Sequence, residues 1–234
     1  MGLARPGHLD DAALWRHATP TVVDGDPART AVETSATAPS RTLVCMCPMN
    51  VERPDPADLR ALRDAFAPEH REPPLGWDAL RRFEAEHDVV LPEPYRTFVA
   101  EICDGYTGGP PGYRLVELAG APVGTPDGHV QRALAEPFPL TEAWLWDADD
   151  SRSEEEIRAV VERVFGDGSI VLGTDGCGMD WHLVVTGPHR GHVWNICGEG
   201  AQPFGTGFGH TTGRPGFAGW VEHWVSGEPW WNVD

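Results

Sequence analysis

The sequence predicts an α+β domain with a largely antiparallel, twisted sheet and flanking helices. Three observations predict it. Five segments carry apolar residues at helical spacing, a glycine-bounded run of strand-like segments occupies 169–196, and the regular strand-helix-strand alternation of parallel-sheet folds is absent. Rossmann and (β/α)-barrel folds are therefore disfavoured.

Three of the predicted helices precede residue 105. Asp55 is a suitable N-cap with Pro56 at the first helical position, so the first helix begins there. The second begins near Trp77 and fades at His87. The third carries one apolar stripe and stops before Asp104-Gly105; the stripe consists of Tyr95, Phe98, Val99 and Ile102.

The other two predicted helices lie in the second half of the chain. Ser153 can accept a bond from an orphan N–H group, and Glu156 completes a capping box. The terminal helix begins at Phe217, has Trp220 and Trp224 on one face, and stops at Gly227.

Strand-like segments are predicted at "YRLVEL" (113–118), "SIVLG" (169–173), "WHLVVT" (181–186) and "HVWNI" (192–196). The last two form a hairpin around "GPHRG", with Thr186 opposite His192. Strand alternation then places one set of side chains on each face: His182, Val184, Trp194 and Ile196 against Trp181, Leu183, Val185 and Val193. Apolar groups on both faces predict a hairpin covered from both sides, with His182 as a hydrogen-bonded edge residue. Segments 119–150 and 197–216 are interpreted as irregular chain.

The domain organisation is predicted to be a flexible extension, 1–50, followed by one domain, 51–234. The extension is rich in Ala, Thr, Pro and Ser and has few large apolar groups to offset the entropy of ordering. No apolar run approaches the roughly 20 residues of a membrane span, and a secretory signal is lacking. Five irregularly spaced cysteines are typical of reduced thiols, so we expect a cytoplasmic protein.

The net charge of −18 indicates the kind of partner. Such a surface repels phosphate backbones and anionic membranes and favours a basic protein partner. The run "DADDSRSEEE" concentrates this charge in Asp147, Asp149, Asp150, Glu154, Glu155 and Glu156. It is either a solvated helix N-terminus or a contact patch for that partner.

Reactive side chains are concentrated in 173–195. Cys177 and His182 are a possible nucleophile and base, but no Lys or helix N-terminus is near to lower the thiol pKa. A metal site would draw on Asp175, Asp180, His182, His189 and His192, whose spacing matches neither a zinc signature nor a calcium loop. The glycines of this stretch fit tight turns with positive φ. We expect no catalytic residue, cofactor or metal here.

Two stretches resemble the SUKH superfamily, which includes fungal cell-wall synthesis regulators and bacterial immunity proteins. The first is "WDALRRFEAEHDVVLPEPYRTFVAEICDG", with the motif residues Phe83, Glu84, Leu91, Pro92, Tyr95 and Gly105. The second is the hairpin, with Gly173, Gly176, Gly178, Gly187, Gly191 and Trp194. With the closing "FAGWVEHW", the similarity covers 77–225.

The resemblance implies a non-enzymatic protein-binding domain. Members associated with toxin systems neutralise a toxin, often a nuclease, by binding it directly, and the acidic charge of this chain suits such a partner. A regulatory or scaffold protein of the cell-wall-regulator type is the alternative within the family. An enzyme or metal site around Cys177 and His182 is the alternative outside it.

Overall fold

The computed structural model describes residues 52–118, 133–146, 151–205 and 213–230. They form five α-helices and one five-stranded sheet in which every strand pair is antiparallel. The predicted α+β class is thus confirmed. All of these residues belong to one unit of the chain, Met49–Asp234.

Some predictions fall on other parts of the chain. The flexible extension 1–50 lies outside the described residues, as do residues 119–132 and 147–150 of the segment 119–150 interpreted as irregular. Three of the six acidic patch residues, Asp147, Asp149 and Asp150, also lie outside them.

The helices are α1 (Pro56–Ala65), α2 (Trp77–Glu86), α3 (Tyr95–Glu101), α4 (Glu154–Gly166) and α5 (Phe217–Ser226), with a short 3₁₀ turn at Pro68–His70. Their predicted starts are confirmed. The Asp55 carboxylate accepts a hydrogen bond from the Ala57 N–H, 2.7 Å away, and Gly227 ends α5 in the left-handed conformation at φ 69°. Side chains cap the starts of α1 and α4, whereas α2, α3 and α5 begin without a side-chain cap.

The strands are β1 (Trp144–Leu145), β2 (Ser169–Gly176), β3 (Met179–Val184), β4 (Val193–Ile196) and β5 (Gly200–Pro203). They are arranged in the order β1-β5-β4-β3-β2. Strands β2 to β5 form a meander, and β1 adds to its far edge beside β5.

Both faces of the β3–β4 hairpin are covered, as predicted. Trp181, Leu183, Val185 and Val193 belong to a core with buried residues of α1, α2, α3 and α5. Val184, Trp194 and Ile196 belong to a second core with Phe138, Trp146 and the apolar side of α4. The sheet is therefore the middle of three layers.

The predicted hairpin register was wrong by two residues. Val184, not Thr186, exchanges backbone hydrogen bonds with the segment at His192: the Val184 N–H donates to the His192 carbonyl at 2.9 Å. Within the strands His182 pairs with Trp194 and Leu183 with Val193. Because side chains alternate with a period of two, a two-residue shift leaves every side chain on its predicted face.

The strand prediction was wrong in three other places. Residues 113–118 make only an isolated bridge, Tyr106 to Leu115, and the Val116 N–H donates to the Leu172 carbonyl. The segments interpreted as irregular contain β1 and β5, of two and four residues. Strands so short have no periodicity to read and form through pairing with neighbours.

The motif residue Glu84 ties α2 to α3. Its side chain is 7% exposed, and it accepts bonds from Arg96 Nε (2.7 Å), Arg96 Nη2 (2.9 Å) and the Leu91 N–H (2.9 Å). The Arg96 guanidinium also lies 5.1 Å from the Trp77 ring centroid. One buried carboxylate thus fixes the connection between the two helices.

The glycines at the hairpin turns adopt positive φ, as predicted, and Gly173 serves a close contact that the sequence did not indicate. Gly187 and Gly191 adopt φ of 117° and 91°, which side chains rarely tolerate. At Gly173 an added Cβ would lie 2.3 Å from the Arg114 carbonyl oxygen, so only glycine lets the 111–116 segment pack against β2.

Candidate partner-binding surface

The first turn of α4 carries the described half of the acidic run. Ser153 Oγ accepts from the Glu156 N–H at 3.4 Å, and Glu156 Oε2 accepts from the Ser153 N–H at 2.8 Å, which completes the predicted capping box. The carboxylate of Glu156 therefore helps to cap the N-terminus of the helix. All three glutamates are exposed, and Glu154 and Glu155 take no part in the capping box.

Arg152 places this turn beside the edge strand β1. Its guanidinium carbon lies 4.1 Å from the centroid of the Trp144 ring, a cation–π contact. Trp144 is partly buried, Leu145 is 60% exposed, and Trp146 is buried in the second core. The alternation buries both tryptophans to different degrees and leaves Leu145 pointing to solvent.

Two further exposed carboxylates border the same strand. Glu142 precedes β1 in the chain, and Glu199 lies opposite it, because the Trp146 N–H donates to the Glu199 carbonyl at 3.0 Å. We call this region the β1 surface; it consists of Glu142, Trp144, Leu145, Arg152, Glu154, Glu155 and Glu199. Trp144 and Trp146 pack on the side of α4, so Leu145 faces away from the α4 turn and the β1 surface includes both sides of this sheet edge. Protein interfaces commonly combine apolar and charged groups.

The sequence pattern missed the apolar half of this surface. Trp144 and Leu145 fell in the segment 119–150, which was interpreted as irregular chain. The signal was the short alternation "WLW", in which the middle residue faces away from two tryptophans. Three residues are too few for that alternation to stand out against chance.

His182 lies in the interior, and its side chain contacts Ser169 rather than Cys177. It is 0% exposed on β3, which lies between β2 and β4, so its predicted position at an edge was wrong. Its Nδ1 atom is 3.0 Å from the hydroxyl of Ser169, which is 2% exposed. The pair has the spacing of a nucleophile and its base but no access for a substrate. Cys177 is exposed in the β2–β3 turn, at φ 52°.

The residues of the metal interpretation make separate bonds. The Asp175 carboxylate accepts from the Gly112 N–H and from Trp181 Nε1, each at 2.6 Å. His189 bonds the Thr141 carbonyl at 2.9 Å, and its other ring nitrogen is 3.4 Å from His192 Nδ1. Among the described residues, no three His, Cys, Asp or Glu side chains are grouped as metal ligands.

Two ionisable groups of this stretch are shifted by burial. Burial raises the pKa of Asp180, against a hydrogen bond from Thr174 that lowers it. Burial and the neighbouring His189 lower the pKa of His192. Both shifts disfavour the charged form, as expected for polar groups packed within a fold.

Comparisons of the chain with protein-family models, with curated proteins and with solved structures found no match. The SUKH resemblance stays a prediction based on its motifs. In the parts of the chain that the structure describes, no helix has the length and apolar character needed to span a membrane.

Proposed function

We propose that this chain is a non-enzymatic, SUKH-type protein-binding domain that neutralises a basic toxin, such as a nuclease, by direct binding. The observation that carries the proposal is the β1 surface. It combines an exposed apolar side chain, Leu145, with four exposed carboxylates on three neighbouring segments. Such a surface supports binding to a protein with apolar and basic groups side by side.

The distribution of charge supports a basic partner. Acidic and basic residues nearly balance in 1–50, so the net charge of −18 resides almost entirely in 51–234. A field of one sign accelerates the approach of an oppositely charged protein, and salt weakens this effect. Nucleases that grip phosphate backbones are themselves basic and fit this field.

The interior polar groups support a binding rather than a catalytic role. Ser169 and His182 form the one pair discussed above with nucleophile and base spacing, and both are buried between the layers. The exposed thiol of Cys177 lies in the β2–β3 turn, and no Lys or helix N-terminus stands beside it in the sequence.

The direct test is protection of cells. The chain is co-expressed with each toxin encoded beside its gene. We expect the chain to restore the growth of cells that express one of these toxins. Absence of protection against every such toxin would reject immunity. Capture of a cell-wall enzyme or regulator instead, in a pull-down from native cells, would favour the regulatory alternative.

The β1 surface is tested with matched charge reversals. Glu154→Lys with Glu155→Lys should slow association with the protected toxin by about tenfold at low salt and much less at high salt. Glu69→Lys with Glu86→Lys makes the same net charge change at exposed sites elsewhere. Equal rates for the two double variants, measured by stopped-flow mixing, would remove the β1 surface from the interface.

A further inference from the structure

A second surface feature, a cavity of about 270 Å³, lies between α1 and α5. Its lining is mainly apolar: Ala61, Leu62 and Ala65 from α1, and Ala218, Val221 and Val225 from α5. Leu62 and Val221 are buried, whereas Ala61 is exposed and Val225 is 59% exposed. The cavity is therefore an apolar groove that is open to solvent.

Small side chains explain why the groove is open. Leu62 and Val221 point into the core that also contains Trp181 and Leu183. The alanines beside them are too short to fill the space between the two helices. Arg214 holds the helices together without filling it, since its guanidinium bonds Asp58 on α1 and Glu222 on α5, the latter at 2.9 Å. Gly219 permits this arrangement, because a Cβ there would be 2.0 Å from the Arg214 carbonyl oxygen.

The charges around the groove select the occupant. Three carboxylates, Asp58, Asp64 and Glu222, border it, and Arg214 is the one cation in its lining. The groove is thus negative beyond what Arg214 neutralises. A second copy of this chain, which carries −18, would be repelled.

We infer that the α1–α5 groove binds an amphipathic basic helix of a protein partner. Apolar side chains at i, i+3/i+4 and i+7 of that helix fill the cavity, and its Lys or Arg residues pair with Asp64 and Glu222. An apolar groove between two helices with charged residues at its border suits helix-in-groove recognition. This inference rests on the proposed function, since its occupant is a protein of the same basic character.

The test uses a defined probe and the full chain. The probe is a fluorescein-labelled 18-residue peptide with leucines on one helical face and lysines elsewhere. Its controls are a peptide of the same composition with the leucines dispersed and a peptide with glutamates in place of lysines. We expect the amphipathic basic peptide to bind about tenfold tighter than either control in fluorescence anisotropy. Equal affinity for the basic peptide and its scrambled control would overturn the inference.

Variants locate the binding. Ala61→Lys places a charge on the exposed side of the groove and should weaken binding of the amphipathic peptide by about tenfold. Asp64→Lys should weaken this binding several-fold. Glu86→Lys, an exposed helical position on α2, is the control and should leave affinity within about twofold. Circular dichroism confirms that each variant folds. Equal affinities for Ala61→Lys and Glu86→Lys would place the peptide elsewhere and overturn the inference.

The same variants separate this inference from the proposed function. Toxin protection that survives Ala61→Lys, together with unchanged peptide binding, would reject the groove and leave the immunity proposal standing. Peptide binding that needs Ala61, in a chain that protects against no neighbouring toxin, would reject immunity and leave the groove standing. A dimer in sedimentation velocity that Ala61→Lys dissociates would show a second copy as the occupant and overturn the inference.

Discussion

Single residues show how the motif chemistry of this chain fixes the connection between two helices. Glu84 was expected from the sequence only as a family position, and the structure supplies the reason for a carboxylate there. Both of its oxygens are used, by the guanidinium of Arg96 and by the Leu91 N–H. The partners lie 7 and 12 residues along the chain, so no local rule would have found them.

Glu84→Gln tests this network. The variant leaves the largely buried Arg96 charge without its carboxylate, and breaking such a pair costs about 3 kcal/mol in the free energy of unfolding. Asp78→Asn, which removes the exposed pair with Arg81, should cost less than about 1 kcal/mol. Urea unfolding followed by tryptophan fluorescence measures both. A similar loss of unfolding free energy in the two variants would mean that the Glu84–Arg96 pair stabilises the fold no more than an exposed ion pair does.

Asp180 is a buried carboxyl group whose ionisation lowers the stability of the fold. Because burial raises its pKa, the folded state holds this proton at higher pH than the unfolded state does. The contribution of Asp180 to stability is therefore full below the unfolded pKa and is lost as pH rises through the folded pKa. At neutral pH the fold must bury a carboxylate.

Asp180→Asn should accordingly raise the free energy of unfolding at about pH 8, and the gain should shrink towards about pH 4. Asp175→Asn is the contrasting variant, since that carboxylate accepts two hydrogen bonds, and it should lower the free energy of unfolding. Urea unfolding across this range measures both variants. If Asp180→Asn instead lowers the free energy of unfolding by the same amount at every pH, the Asp180 carboxylate makes a net stabilising hydrogen bond.

At the scale of the elements, helices could be located from the sequence more accurately than strands. The clearest helix signals lie within a few residues of the helix itself, as Ser153 and Glu156 show for α4. Strands β1 and β5 contain no such signal. They exist because β4 presents an open edge for β5 and β5 presents one for β1.

Ser153→Ala tests the capping box at the start of α4. The variant removes the acceptor for the Glu156 N–H, and loss of an N-cap costs about 1 kcal/mol. Ser151→Ala, an exposed serine two residues earlier, is the control and should have little effect. Thermal unfolding measures the Tm of both variants. An equal fall in Tm would show that the capping box does not stabilise the helix. Because Glu154 and Glu155 follow the cap, Ser153→Ala should also weaken partner binding.

At the scale of the whole molecule, the chain places its acidic charge and its apolar openings on the outside of a three-layer domain. The β1 surface belongs to the far edge of the sheet, whereas the α1–α5 groove belongs to the helical layer. Only the acidic half of the first was visible in the sequence. The second joins positions 58–65 to positions 214–225, which no sequence window contains together.

The sequence by itself determined the fold class, the helix boundaries, the two-sided burial of the β3–β4 hairpin and the glycine-dependent turns. These properties follow from local chemistry and from a side-chain period that survives a two-residue slip. Only the tertiary structure decided the register, the strands β1 and β5, the pairing of His182 with Ser169 and the two candidate binding surfaces. Each of these depends on contacts between distant segments, and their free energy is gained only when the layers pack together.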